Sequence, residues 1–101
     1  MIDYKIILSS EAVKTLQESY EWYEVRSEGL GNRFVELVDK AIRLITQNPV
    51  SYPNKSGPYR EIVLGKFPYV IVYELIKEEH IIYILHVFHT KRNPKQKYRR
   101  K

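Results

Sequence analysis

Helix-like and strand-like spacings of apolar residues occupy different parts of this chain. Between Ala12 and Ile45 the apolar residues recur at intervals of three and four, which is the spacing of amphipathic helices. Elsewhere, short apolar segments bounded by turn residues are typical of strands. Strands are predicted at residues 3–8, 59–64, 69–76 and 81–88. Because both helices precede three of the four strands, the order β-α-α-β-β-β predicts an α+β fold, with a two-helix hairpin on one face of an antiparallel sheet.

Turn and cap residues separate these predicted elements. Ser9 and Ser10 can cap the first helix, and residues 27–31, with two glycines, break the helical pattern. Asn48 should end the second helix, because the proline after it pushes this residue out of the α region. Residues 49–58 contain three prolines and a glycine and are predicted to form a loop.

The last predicted strand runs directly into a basic tail, residues 89–101. This tail has seven of the 17 Lys and Arg residues and none of the 12 acidic ones, so the rest of the chain has ten basic residues against 12 acidic ones. Clustered cations gain free energy when they displace counterions from phosphates. The segregation of charge therefore favours a polyanionic partner.

Length and composition limit the kind of protein this is. A chain of 101 residues is expected to form a single domain, residues 1–101. It has no cysteine, which excludes disulfides and thiolate metal sites and is typical of a reducing cytoplasm. Its longest apolar run is far shorter than the roughly 18 residues that span a bilayer, and its N-terminus lacks the pattern of a signal peptide. A cytoplasmic location without membrane contact is expected.

A series of short motifs runs through the chain in a distinctive order. They comprise Ala12 and Leu16, Trp22-Tyr23, Gly29-Leu30-Gly31-Asn32-Arg33-Phe34, Pro49, Arg60, Phe67-Pro68-Tyr69, Ile71, Tyr73, Val87, His89, Lys91-Arg92 and Pro94. Taken together, from about residue 4 to residue 98, they resemble the RelE/ParE superfamily, the toxins of bacterial type II toxin–antitoxin systems. None of these motifs is diagnostic by itself, and the resemblance rests on their order and spacing.

The resemblance implies one of two activities. RelE-like members are described as ribosome-dependent endonucleases that cut mRNA, and ParE-like members as poisons of DNA gyrase. The Gly-Leu-Gly-Asn-Arg-Phe and Phe-Pro-Tyr motifs are more similar to the ParE type, which is slightly favoured, whereas the spacing from Arg92 to Tyr98 is similar to the RelE type. Whether the chain is an enzyme therefore stays open. A non-toxic nucleic-acid-binding module is a further alternative.

On the nuclease interpretation, two arginines are candidates for stabilising the pentacovalent phosphate. Arg60 lies near the start of a predicted strand, on the same face as Ile62, and Arg92 lies just beyond the last strand. A guanidinium suits this role because its planar fork matches phosphate oxygens. The alternative is that Arg60 pairs with an acid such as Glu36 or Glu61.

Two further residues are candidates for proton transfer. His89 is one, because an imidazole is the side chain best suited to donate or accept a proton in catalysis, and its alternative role is to fix the end of the strand. Tyr98 could act as a general acid or stack on a base, and its alternatives are packing on the domain or a disordered position. His86 and His89 are three residues apart and so should lie on opposite faces of a strand. No metal site and no cofactor are therefore expected.

The remaining charges suggest partner surfaces. Glu18, Glu21, Glu24 and Glu28 form an acidic stripe on the first helix, which would repel RNA. The resemblance implies a cognate antitoxin, expected to be an acidic segment that wraps the toxin, and either the ribosome with mRNA or DNA gyrase as the target. The residues predicted to contact phosphates are Lys91, Arg92, Lys95, Lys97, Arg99 and Arg100.

Overall fold

Two helices and a five-stranded sheet make up the part of the chain that the structure describes. The structure is a computed structural model, and it describes residues 3–91 and 97–98. In chain order the elements are β1 (Lys5–Leu8), α1 (Ser10–Arg26), α2 (Leu30–Gln47), β2 (Asn54–Ser56), β3 (Tyr59–Val63), β4 (Tyr69–Ile76), a 3₁₀ turn (Lys77–Glu79) and β5 (Ile81–His89). None of the described helices is long and apolar enough to cross a membrane.

The sheet has the strand order β1-β5-β4-β3-β2. Strands β3, β4 and β5 form a continuous antiparallel meander, in which Tyr69 pairs with His89 and Ile76 with Ile81. The α+β prediction is confirmed. Two details differ from the expectation: β1 pairs in parallel with β5, and a short β2 lies within the predicted loop of residues 49–58. The parallel pair joins the first strand to the last one, so no hairpin turn in the sequence could indicate its direction.

Helix α1 begins at the predicted serine. The Ser9 hydroxyl accepts a hydrogen bond from the backbone N–H of Ala12 at 3.0 Å and donates one to the carbonyl of Leu85 at 2.6 Å. The N-terminus of α1 is therefore capped and is also attached to the central strand β5.

Both helices pack on one face of the sheet, which we call the helix face. Its core includes Phe34 and Ile45 from α2 and Ile71, Tyr73 and Ile84 from the sheet, all with no exposed surface. The opposite face, which we call the far face, has a separate apolar cluster. That cluster contains Val70, Val72, Leu85 and Phe88, with Tyr59, Tyr83 and Tyr98 packed against it.

A β-bulge in β5 determines which face His86 occupies. Val72 pairs with His86, whereas the next residue, Tyr73, pairs with Ile84, so Leu85 is the extra residue. Directly paired residues point to the same side of a sheet, and His86 therefore lies on the far face with Val72. His86 is partly buried there, with its ring 6.5 Å from that of Phe88.

The burial of Tyr73 predicts a loss of stability at alkaline pH. Its hydroxyl donates to the Pro49 carbonyl at 2.6 Å, and burial raises its pKa from 10.0 to about 12, against a lowering effect of Arg60. A raised folded-state pKa means that this stabilisation is complete below pH 10.0 and is lost as the pH rises to about 12. In urea unfolding, the free energy should fall across this window, and it should fall less in Tyr73→Phe. If the free energy of unfolding fell equally with pH in the wild type and in Tyr73→Phe, this prediction would be contradicted.

Candidate functional site

Arg60 lies on the same strand face as Ile62, as their alternation predicted, and this face is the helix face. Its Nη1 donates hydrogen bonds to the carbonyls of Tyr52 at 2.8 Å and Val50 at 3.2 Å. Glu61, one of the acids considered as its partner, points to the far face instead. Arg60 thus holds the segment before β2 against β3.

This arrangement predicts a structural effect of removing Arg60. Arg60→Ala leaves two carbonyls without their charged donor, so the free energy of unfolding should fall by about 1–3 kcal/mol in urea unfolding. The matched control is Arg43→Ala, which removes an exposed arginine whose ion pair with Asp39, at 2.7 Å, is also exposed. Its loss should cost less than about 1 kcal/mol. Equal losses in the two variants would contradict the role assigned to Arg60.

His89 holds the end of β5. Its Nδ1 accepts a hydrogen bond from the backbone N–H of Lys91 at 3.1 Å, and its ring makes an edge contact with Tyr69, with centroids 5.0 Å apart. The next residue, Thr90, donates its N–H to the Pro68 carbonyl at 2.8 Å. These contacts fix the histidine at the point where the strand gives way to the basic tail.

A buried carboxylate on the far face binds two residues of the basic tail. Glu61 is only 7% exposed. The Lys97 ammonium lies 3.0 and 3.2 Å from its two oxygens, and the Tyr98 hydroxyl donates a hydrogen bond to Oε2. The ring of Tyr98 stacks on that of Tyr59, with centroids 5.8 Å apart and an angle of 18° between the planes. We call Glu61, Lys97 and Tyr98 the far-face cluster.

The environment of Tyr98 keeps its hydroxyl protonated. Burial, the hydrogen bond to Glu61 and the negative charge of that carboxylate together raise the pKa of Tyr98 from 10.0 to about 12. At neutral pH this phenol is therefore a proton donor, and its proton already points at Glu61.

The described candidate residues do not converge on one point. Arg60 lies on the helix face, whereas Lys97 and Tyr98 lie on the far face. His89 pairs with Tyr69 at the start of β4, and Arg60 pairs with Tyr73. The offset of four positions between Tyr69 and Tyr73 corresponds to about 13 Å along the strand. Lys91 is exposed at the end of β5, and the predictions for Arg92, Lys95, Arg99 and Arg100 fall outside the described residues.

Two acids have roles that the sequence did not predict. One is Glu61. The other is Glu24 of the predicted acidic stripe, which accepts hydrogen bonds from the backbone N–H groups of Gly29 at 2.8 Å and Gly31 at 3.0 Å. It thereby caps the N-terminus of α2 across the hairpin. The available signal for Glu61 was its place on a strand face that is otherwise apolar, which requires a positively charged or hydrogen-bonding partner.

The outer surface of α1 has an exposed apolar patch. Trp22 is 52% exposed and Val25 is 85% exposed. The guanidinium carbon of Arg26 lies 3.3 Å from the centroid of the Trp22 ring, a close cation–π contact. We call Trp22, Val25 and Arg26 the hairpin patch.

Comparison with known proteins defines the class of this fold. The chain is similar to the chromosomal ParDE TA system from P. aeruginosa (TM-score 0.73, 16% identity, covering 90% of this chain and 100% of that one). It is also similar to the isolated E. coli RelE toxin, with a TM-score of 0.67 and 18% identity, covering 93% of this chain and 92% of that one. A third similar structure is the archaeal RelE–RelB complex from Pyrococcus horikoshii OT3, with a TM-score of 0.54 and 20% identity, covering 92% of this chain and 100% of that one. At these identities the likeness shows a shared fold. A search of curated proteins found no match.

A family model makes the assignment more specific. The model for the ParE toxin of the type II toxin–antitoxin system parDE matches residues 6–94. The chain belongs to this ParE toxin family, within the RelE/ParE superfamily that the sequence motifs indicated.

Proposed function

We propose that this ParE/RelE-type toxin acts by inhibiting DNA gyrase. The observation that carries the proposal is the match of residues 6–94 to the ParE family, whose members are described as gyrase poisons. The contacts of the candidate catalytic residues agree with it. Arg60 binds backbone carbonyls, His89 fixes the end of a strand, and Tyr98 binds Glu61. A protein that blocks gyrase by binding needs none of these side chains for catalysis.

The hairpin patch supports a binding role for the helical hairpin. An exposed tryptophan beside an exposed valine is costly to keep in water, and such groups are enriched where proteins bind one another. Glu18 and Glu21 lie on the same helix as Trp22 and Val25 and add negative charge to this surface. On the proposed function this surface contacts gyrase.

The antitoxin is proposed to be an acidic segment with interspersed leucine or isoleucine. The basic tail offers it seven cations, and the hairpin and sheet offer apolar surfaces. A segment of this composition satisfies both features, because charge complementarity orients it and apolar burial holds it.

The decisive experiment is a supercoiling assay with purified gyrase and purified toxin. Gyrase inhibition is expected, together with growth arrest when the toxin is expressed alone. Trp22→Ala should weaken the inhibition, whereas Val13→Ala should not, although Val13 is also half exposed on α1. Full gyrase activity in the presence of folded toxin would refute the proposal. Normal growth on induction would favour the non-toxic module.

The alternative function is ribosome-dependent cleavage of mRNA. Lys97 and Tyr98 favour it, since a cation beside a stacked aromatic ring is suited to hold single-stranded RNA. Intact gyrase activity with translation-dependent mRNA cuts would establish this function. Arg92→Ala should then abolish toxicity without unfolding the protein.

A further inference from the structure

In the far-face cluster, the Glu61 carboxylate occupies the position where Lys97 and Tyr98 could bind another anion. The Glu61 oxygens accept hydrogen bonds from the Lys97 ammonium and from the Tyr98 hydroxyl. A phosphodiester also shares a negative charge between two oxygens on one atom, so it can accept hydrogen bonds from the same two donors. Glu61 and Lys97 are 36 residues apart in the chain, so this contact is made by the fold and not by local sequence.

We propose that Lys97 and Tyr98 form a phosphodiester-binding site that Glu61 closes from within the same chain. Nucleic acid then binds by replacing the Glu61 carboxylate with one of its phosphates. The proposal is independent of whether gyrase or mRNA is the target, because it concerns only how the basic tail engages nucleic acid.

Charge favours a phosphodiester over an acidic protein as the ligand. The tail contains seven cations in 13 residues without any acid. Such a cluster gains binding free energy from a nucleic acid backbone, because neutralising its regularly spaced phosphates releases their counterions. Glu61 opposes this gain, since an acid attached to the same chain competes at a high effective concentration. The free protein should therefore bind nucleic acid less tightly than its charge suggests.

Removing the internal competitor tests the proposal directly. Glu61→Gln keeps the shape of the side chain but removes its charge. Binding of a labelled oligothymidylate and a labelled oligouridylate is measured by fluorescence anisotropy at one fixed salt concentration. Glu61→Gln should tighten binding about tenfold, the equivalent of one charged hydrogen bond that no longer has to be displaced.

A matched control separates this effect from net charge. Glu36→Gln makes the same change in charge at an exposed position on α2, and its effect on affinity should be small. Adding Lys97→Ala to Glu61→Gln should cancel the gain, because Lys97 supplies the site. Thermal melting confirms that each variant is folded.

Three outcomes would overturn the proposal. The first is a Glu61→Gln affinity no greater than that of Glu36→Gln. The second is a gain that survives Lys97→Ala, which would place the binding elsewhere. The third is a gain for an oligoglutamate peptide without a gain for either oligonucleotide, which would identify an acidic protein as the ligand.

A second readout checks that Glu61 holds the tail residues in place. A protease that cuts after lysine must take the Lys97 side chain out of its contact with Glu61. Cleavage of the Lys97–Tyr98 bond, followed by mass spectrometry, should be faster in Glu61→Gln than in Glu36→Gln. Equal cleavage rates would overturn the idea that Glu61 closes the site.

Discussion

Replacing Phe34 with alanine is expected to lower the free energy of unfolding by about 3–5 kcal/mol. The side chain has no exposed surface. Its ring contacts those of Tyr69, Phe67 and Tyr23, with centroids at 4.9, 5.3 and 5.4 Å. The substitution removes apolar burial and three aromatic contacts and leaves a cavity between α2 and the sheet. Since domains are stable by only about 5–15 kcal/mol, this is a large fraction of the total.

Urea unfolding of Phe34→Ala and its neighbour Val35→Ala measures this effect. Val35 is 40% exposed on the same helix. Its truncation should cost less than about 1 kcal/mol, partly because alanine is the better helix former. If the two variants lost the same stability, the aromatic cluster would not be the main contact between hairpin and sheet.

Sequence periodicity predicted the elements of this fold well because local chemistry determines them. Ser9 caps α1 through its own hydroxyl, and Pro49 stops α2 through its own ring. The alternation of Arg60 and Ile62 correctly placed the two residues on one common face, which in the structure is the helix face. The bulge at Leu85 and the parallel pairing of β1 could not be read in the same way, because each depends on a partner strand distant in sequence.

The candidate site was harder to predict for the same physical reason. The types of residue in the basic tail are visible in the sequence, but the partner of Tyr98 is Glu61, 37 residues earlier. An acidic residue in a strand gives no indication of which cation will approach it. Similarly, the sequence indicated that Glu24 was an ordinary residue of a solvated helix face. In the structure it accepts two backbone hydrogen bonds at the start of the following helix.

Replacing Gly31 with alanine is expected to destabilise the protein by about 2–3 kcal/mol, although alanine is normally the better residue in a helix. A Cβ atom on Gly31 would lie 2.5 Å from the carbonyl oxygen of Tyr20 and 2.9 Å from its ring. The carbonyl belongs to the backbone of α1, so it cannot move aside as a flexible side chain can. The helices must therefore separate, and the cap that Glu24 makes to Gly31 is weakened as they do so.

The sign of this effect distinguishes close packing from helix propensity. Asn32→Ala, one position later and exposed, changes propensity without meeting α1, and its effect should be within about 0.5 kcal/mol. A Gly31→Ala protein as stable as the wild type in urea unfolding would mean that the hairpin opens at little cost. If the predicted loss is observed, the tight approach of α1 and α2 is the feature that requires glycine. The same approach then fixes the position of α1, and with it the hairpin patch, on the surface of the toxin.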